Sequence, residues 1–196
     1  MNYAEIAVLA KSISTDYFNN NNYPIIKVLS SNTSDKSIVG YINQLHDSGL
    51  NIEVFKLDYQ QRFINGRLQR YIDNRVLVCV SDKLNTCWSR YVVTKELTHL
   101  IIDKNNESFT TNVDMLVNWI IDGLNVTIDK PIESEHVAAH LAAEILIPYS
   151  SSQELLKNSA ISTYDIALRY SVPKKIVELF RIPEYIERRD KAYSDI

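Results

Sequence analysis

The chain has 196 residues, 45% of them hydrophobic, and a formal net charge of −3. That hydrophobic share suffices for a packed core at this length and excludes a disordered chain, while the acidic balance gives no global reason to expect nucleic-acid or anionic-membrane binding. No apolar run approaches the ~20 residues of a transmembrane helix, and Met1–Glu5 lacks the basic and apolar opening of a secretory signal.

Tyr3–Phe18 has Ile6, Leu9, Ala10, Ile13 and Phe18 near helical spacing and predicts a first helix before the Asn19–Asn22 turn. Tyr23–Ser30 reads as a strand or an extended segment. Ser34 or Asp35 is placed to cap a helix through Ile38, Ile42 and Leu45 that Gly49 ends. Asn51–Leu57 and Arg75–Val80 read as strands. Asn65-Gly66 is a hairpin signal between Arg62–Ile64 and Arg67–Ile72, and Asp73-Asn74 makes a second turn. Cys79 and Cys87 form no CxxC pair and no secreted framework, so they read as reduced thiols of a cytoplasmic protein.

From Trp88 onward the pattern turns helical. Helices are expected over Trp88–Asp103, over Asn112–Leu124, and over Ile132–Ile147 between Pro131 and Pro148. Shorter ones follow at Ser151–Leu156, Thr163–Tyr170 and Pro173–Phe180, and the charged tail after Pro183 is expected to fray. Trp88 and Trp119 read as core anchors, and His46 as exposed. The fold class expected is α+β: a small, mostly antiparallel sheet packed on one helix, with a helical C-terminal part. Residues 1–150 would form the main domain and 151–196 a C-terminal segment with a helix-turn-helix outline.

Chemistry concentrates in Arg90–Asp103, which contains Lys95-Glu96-Leu97-Thr98-His99. Two histidines four residues apart on a helix put both imidazoles on one face, where they can hold zinc. A glutamate after the first histidine can then act as general base on zinc-bound water. Here Glu96 and His99 keep the base and second-ligand positions, and Lys95 stands at the first. Downstream, Glu135, Ala138, Ala139 and Ala142 share a helix face at i, i+3, i+4 and i+7. A carboxylate followed by three alanines allows close helix approach with the carboxylate aimed inward.

These two segments resemble the ImmA/IrrE family of metallo-endopeptidases, whose first motif runs roughly Arg-Phe-Thr-x-Ala-His-Glu-Leu-Gly-His-Leu-Leu-Leu. Arg90 through Ile102 is similar to it, sharing Arg90, Glu96, Leu97, His99 and Leu100, with Lys95 in place of the first histidine. The family's second motif, roughly Glu-x-x-Ala-Asn-x-Phe-Ala-Ala-x-Leu-Leu-x-Pro, is similar to Glu135 through Pro148, with Ala139 for the asparagine and Leu141 for the phenylalanine. Asp165–Pro173 looks like a third family segment, and the resemblance spans roughly residues 50–182. It implies a zincin-like fold, Glu96 as catalytic base, His99 and Glu135 as zinc ligands, and action on a helix-turn-helix repressor, often of a phage or mobile element.

Lys95 leaves three readings open. Its ammonium could replace the metal's charge between Glu96 and Glu135, leaving a binding pocket without hydrolysis. Zinc could instead be held by His99, Glu135 and a substitute, His140 or Glu144, although His140 lies ~140° around the helix from Glu135. Or the resemblance is one of fold alone. An ammonium can ligate zinc only after losing a proton whose ordinary pKa is ~10.4. His136 and His140 otherwise read as a solvated helix face, and no neighbouring base marks Cys87 as a nucleophile. A different class of function, DNA binding through residues 163–180, would use Lys174 and Lys175 on phosphates. Against it, that helix carries mostly apolar side chains, Ile176, Val177, Leu179 and Phe180.

Overall fold

A computed structural model describes residues 1–17, 27–29, 37–45, 49–58, 65–102, 108–110 and 130–196. The expected helix Asn112–Leu124, with Trp119, lies outside them, as do His46 and the Arg62–Ile64 arm of the expected hairpin. Among the described residues the fold is α+β, with eight α-helices and a four-stranded mixed sheet. No described helix is long and apolar enough to cross a membrane.

Helix α1 (Tyr3–Lys11) begins with a reciprocal cap, in which Asn2 accepts from the Glu5 N–H and the Glu5 carboxylate accepts from the Asn2 N–H. It then widens into a π-helical segment, Ser12–Tyr17, so the expected single helix changes its winding. Helix α2 (Ile38–Leu45) is capped by Ser37, whose hydroxyl accepts from the Gly40 N–H at 3.0 Å. The cap therefore sits closer to the apolar run than the expected Ser34 or Asp35. Gly49 has φ +60°, the left-handed conformation that only glycine adopts without cost.

The strands are β1 (Asn51–Leu57), β2 (Gly66–Arg70), β3 (Arg75–Ser81) and β4 (Ser108–Thr110), in the order β1-β3-β2-β4. β2 pairs antiparallel with β3 and β4, whereas β1 runs parallel to β3. The β2–β3 connection turns through Asp73-Asn74, with Asn74 left-handed at φ 63°. Gly66 is the first residue of β2, opposite Val80. A Cβ there would lie 2.5 Å from Val92 Cγ1 and 3.0 Å from Glu96 Oε1. Glycine at this position thus serves a close approach between strand and helix.

That helix is α3 (Thr86–Ile102), buried at every position from Tyr91 to Leu100. A helix covered all round has no polar stripe, which explains why Lys95, Glu96 and His99 sit in its interior section without a solvent-facing side. Val76, Val78, Val80 and Leu68 form the core-facing part of the sheet, and Trp88 packs at the edge of the core. On another side of α3 lies α4 (Lys130–Leu146). Ala138, Ala139, Ala142 and Ala143 of α4 are fully buried. Tyr91 of α3 donates to the Ala139 carbonyl at 2.9 Å, and Thr98 donates to the Ala138 carbonyl at 3.2 Å.

The rest is helical: α5 (Tyr149–Lys157), α6 (Thr163–Tyr170), α7 (Lys174–Phe180) and α8 (Pro183–Ser194). The segment after Pro183, expected to fray, is a helix packed against α1, α5 and α7. Its ion pairs, described below, order a sequence whose composition alone suggested a solvated tail. Arg90 of α3 donates to the carbonyls of Tyr170 at 2.9 Å and Ser171 at 3.3 Å, so it satisfies the exposed end of α6.

Candidate functional site

Lys95, Glu96 and His99 meet Glu135 where α3 and α4 cross. The Lys95 ammonium forms ion pairs with Glu135 Oε2 and with Glu96 Oε1, the latter at 3.3 Å. His99 Nε2 lies 3.1 Å from Glu135 Oε1. The Glu135 carboxylate is therefore shared, one oxygen on the ammonium and the other on the imidazole. His99 Nδ1 and the Ser134 hydroxyl lie 3.3 Å apart, with donor and acceptor set by the imidazole tautomer. Arg70 of β2 donates to the His99 backbone carbonyl at 2.8 Å and ties the sheet to the same turn.

Burial organises the charges. Lys95, Glu96 and His99 are sealed, and the Glu135 side chain keeps 15% of its surface exposed. Desolvation alone would raise the Glu135 pKa, but the His99 hydrogen bond and the Lys95 charge outweigh it and hold the carboxyl below its ordinary value. Glu135 is the one member of the cluster whose side chain stays partly open.

A zinc-binding set can be tested against these atoms. His99 Nε2 and the Glu135 carboxylate are suitable donors. The first ligand position holds an ammonium, which has three donors and no lone pair. It stands between the base and ligand carboxylates, and Glu135 spends one oxygen on it. The residues present do not fit zinc in this arrangement. Among the described residues, no group of three His, Cys, Asp or Glu side chains is arranged to hold a metal ion.

The two proposed substitute ligands stand elsewhere. Glu144 is fully buried and makes a two-oxygen contact with Arg189 of α8, with Nε at 3.0 and 3.1 Å and Nη2 at 2.9 Å. The hydroxyls of Tyr3, Tyr185 and Tyr193 also point at Glu144, at 2.5, 3.4 and 3.2 Å. His140 Nδ1 lies 3.4 Å from Tyr185 Oη, and its ring stacks with that of Tyr185. The expectation of a solvated face at His136 and His140 is corrected here: they are 5% and 3% exposed. At His140 the reason is that α1 packs along α4 and the rings of Tyr3 and Tyr185 lie against the imidazole.

Sequence reasoning missed this second cluster because its hydrogen bonds join residues up to 141 positions apart. A signal was present in Tyr185, Arg189 and Tyr193, which recur at i, i+4 and i+8 and so share one helix face. Cys79 and Cys87 are both half-buried. No family model matches the chain, and no curated protein matches it at a significant level.

Proposed function

We propose that this chain is a metallopeptidase-like protein of the ImmA/IrrE type in which the Lys95 ammonium takes over the charge of the absent metal. On this reading it acts in the cytoplasm on a repressor or other regulatory protein, of a phage or mobile element, by binding it without hydrolysis. The observation that carries the reading is the buried bridge from Lys95 to both Glu96 and Glu135. Two carboxylates packed that closely repel unless a cation lies between them, and a lysine at the first ligand position supplies one. The lysine also occupies the reach that Glu96 would need to act as a base on a water at His99 and Glu135. Glu96 is then a partner of Lys95, and Glu135 the acidic edge offered to a bound protein.

The zincin-like fold has its own support. A mixed sheet lies against a buried helix bearing Glu96 and His99, and a second helix brings Glu135 to them. DNA binding through residues 163–180 has less: Ile176, Val177, Leu179 and Phe180 of α7 are buried, and Lys174 pairs with Glu178 at 3.1 Å.

Metal analysis of protein purified without chelator tests the reading. The unaltered chain should carry no stoichiometric zinc, and Lys95→His should gain about one equivalent that His99→Ala then removes. Zinc in the unaltered chain, lost in His99→Ala, would sink it. Cleavage of a co-expressed repressor that stops with Glu96→Gln would replace the binding protein by an active enzyme.

A further inference from the structure

Among the helices after residue 148, α6 differs in its outer face. α5, α7 and α8 expose no large apolar side chain, whereas α6 exposes Tyr164 at 60% and Leu168 at 55%. Its inner face, Ile166, Ala167 and Tyr170, is buried, so one apolar stripe already meets the core. Tyr164 and Leu168 stand one turn apart, and half-buried Ile161 continues their row. On one flank of that row stand the exposed Asp165 and Arg169, also one turn apart.

Both ends of this helix are fixed. Arg181 donates to the carbonyls of Asn158 and Ile161, each at 2.7 Å, and Arg90 holds those of Tyr170 and Ser171. A face held in place before binding loses little conformational freedom on binding.

The order of the side chains selects the occupant. Along the chain the flank runs acid then base, Asp165 then Arg169, and the row runs Tyr164 then Leu168. A half-turn about an axis perpendicular to the helix lays this pattern on itself. Tyr164 of one copy then meets Leu168 of the other, and Asp165 of one faces Arg169 of the other, twice by symmetry. Parallel pairing would instead set Asp165 beside Asp165.

We propose that α6 is an interaction surface for a second copy of this chain, paired antiparallel through Tyr164 and Leu168 with Asp165–Arg169 ion pairs on the flank. An eight-residue helix is ~12 Å long, so its contact falls below the ~800 Å² per partner of a standard interface. The pair is therefore weak and forms at chain concentrations on the order of 0.1–1 mM. The inference does not depend on what the Lys95 site does.

Sedimentation equilibrium and amide shifts of the full chain test it. The unaltered chain should dimerise by about 1 mM, with concentration-dependent shifts centred on residues 161–169. Arg169→Glu sets like charges against Asp165, and Asp165→Lys does so against Arg169, so each should weaken association at least about tenfold. Mixing these two variants in equal amounts restores opposite charges, and association should return to within about threefold of the unaltered chain. Asp165 also accepts from Ser162 Oγ at 2.6 Å, so a variant that leaves this cap intact guards against misfolding. That variant is Tyr164→Ala, which should weaken association at least about tenfold. A chain still monomeric at about 1 mM would overturn the proposal. So would shifts centred outside α6, unchanged association in Tyr164→Ala, or a mixture of folded charge variants no tighter than either alone.

Discussion

Lys95 is fully enclosed between two carboxylates, and its removal tests the pairing more directly than any change at the surface. Lys95→Met keeps the volume but strands Glu96 and Glu135 in a low-dielectric pocket. Stability should fall by about 3–5 kcal/mol in urea unfolding, and Lys95→Met with Glu96→Gln should recover part of that loss. Gly66 provides a second residue-level test. Because a Cβ there meets Val92 Cγ1 at 2.5 Å, and a β-branched side chain on a helix has little freedom to turn away, Gly66→Ala should cost about 1–3 kcal/mol. Val92→Ala in the same chain should relieve much of it, read as a non-additive double-mutant cycle. Neither effect follows from the local sequence, in which Asn65-Gly66 suggests only a turn.

At the scale of elements, α8 and α5 meet through Asp190. Partial burial pushes the Asp190 carboxyl up, and the hydrogen bonds from Lys157 and Tyr149 more than offset this, holding it below its ordinary value. The groups facing it are Lys157, Tyr149 and Gln153 on α5 and Arg189 beside it on α8. A depressed folded-state pKa gives stability that is complete above the unfolded value of ~3.9 and is lost as pH falls through the folded value. Protection of α8 amides should therefore be flat near neutrality and decline below about pH 4, and Asp190→Asn should remove that part of the decline. Arg90 plays a comparable part at α6. Arg90→Met uncovers the Tyr170 and Ser171 carbonyls and should lower stability by about 1–3 kcal/mol, measured by thermal unfolding.

Across the whole molecule, α4 is the shared member. One side carries Glu135 to Lys95 and His99, and the other carries Glu144 to Arg189. The Glu144–Arg189 and Arg90–Tyr170 contacts also join residues before 150 to residues after it. If the buried pair sets register more than stability, Glu144→Leu with Arg189→Met should be less destabilised than Arg189→Met alone, because the double change leaves no stranded charge. Equal losses in denaturant unfolding would count against that account.

Local pattern was sufficient for β1, β3, α3 and α4, because each is a run whose period or terminal signals lie within about a dozen residues. The alanine face after Glu135 was legible for the same reason, and so was the odd lysine before Glu96. The sequence by itself thus determined an α+β chain with four chemistry-bearing residues on two helices. Tertiary structure decided the rest: the parallel pairing of β1 with β3, the burial of His136 and His140, and the choice of Arg189 as the partner of Glu144. These depend on which surfaces meet across tens of residues, and burial and ion pairing are properties of the meeting surfaces, which no local period encodes.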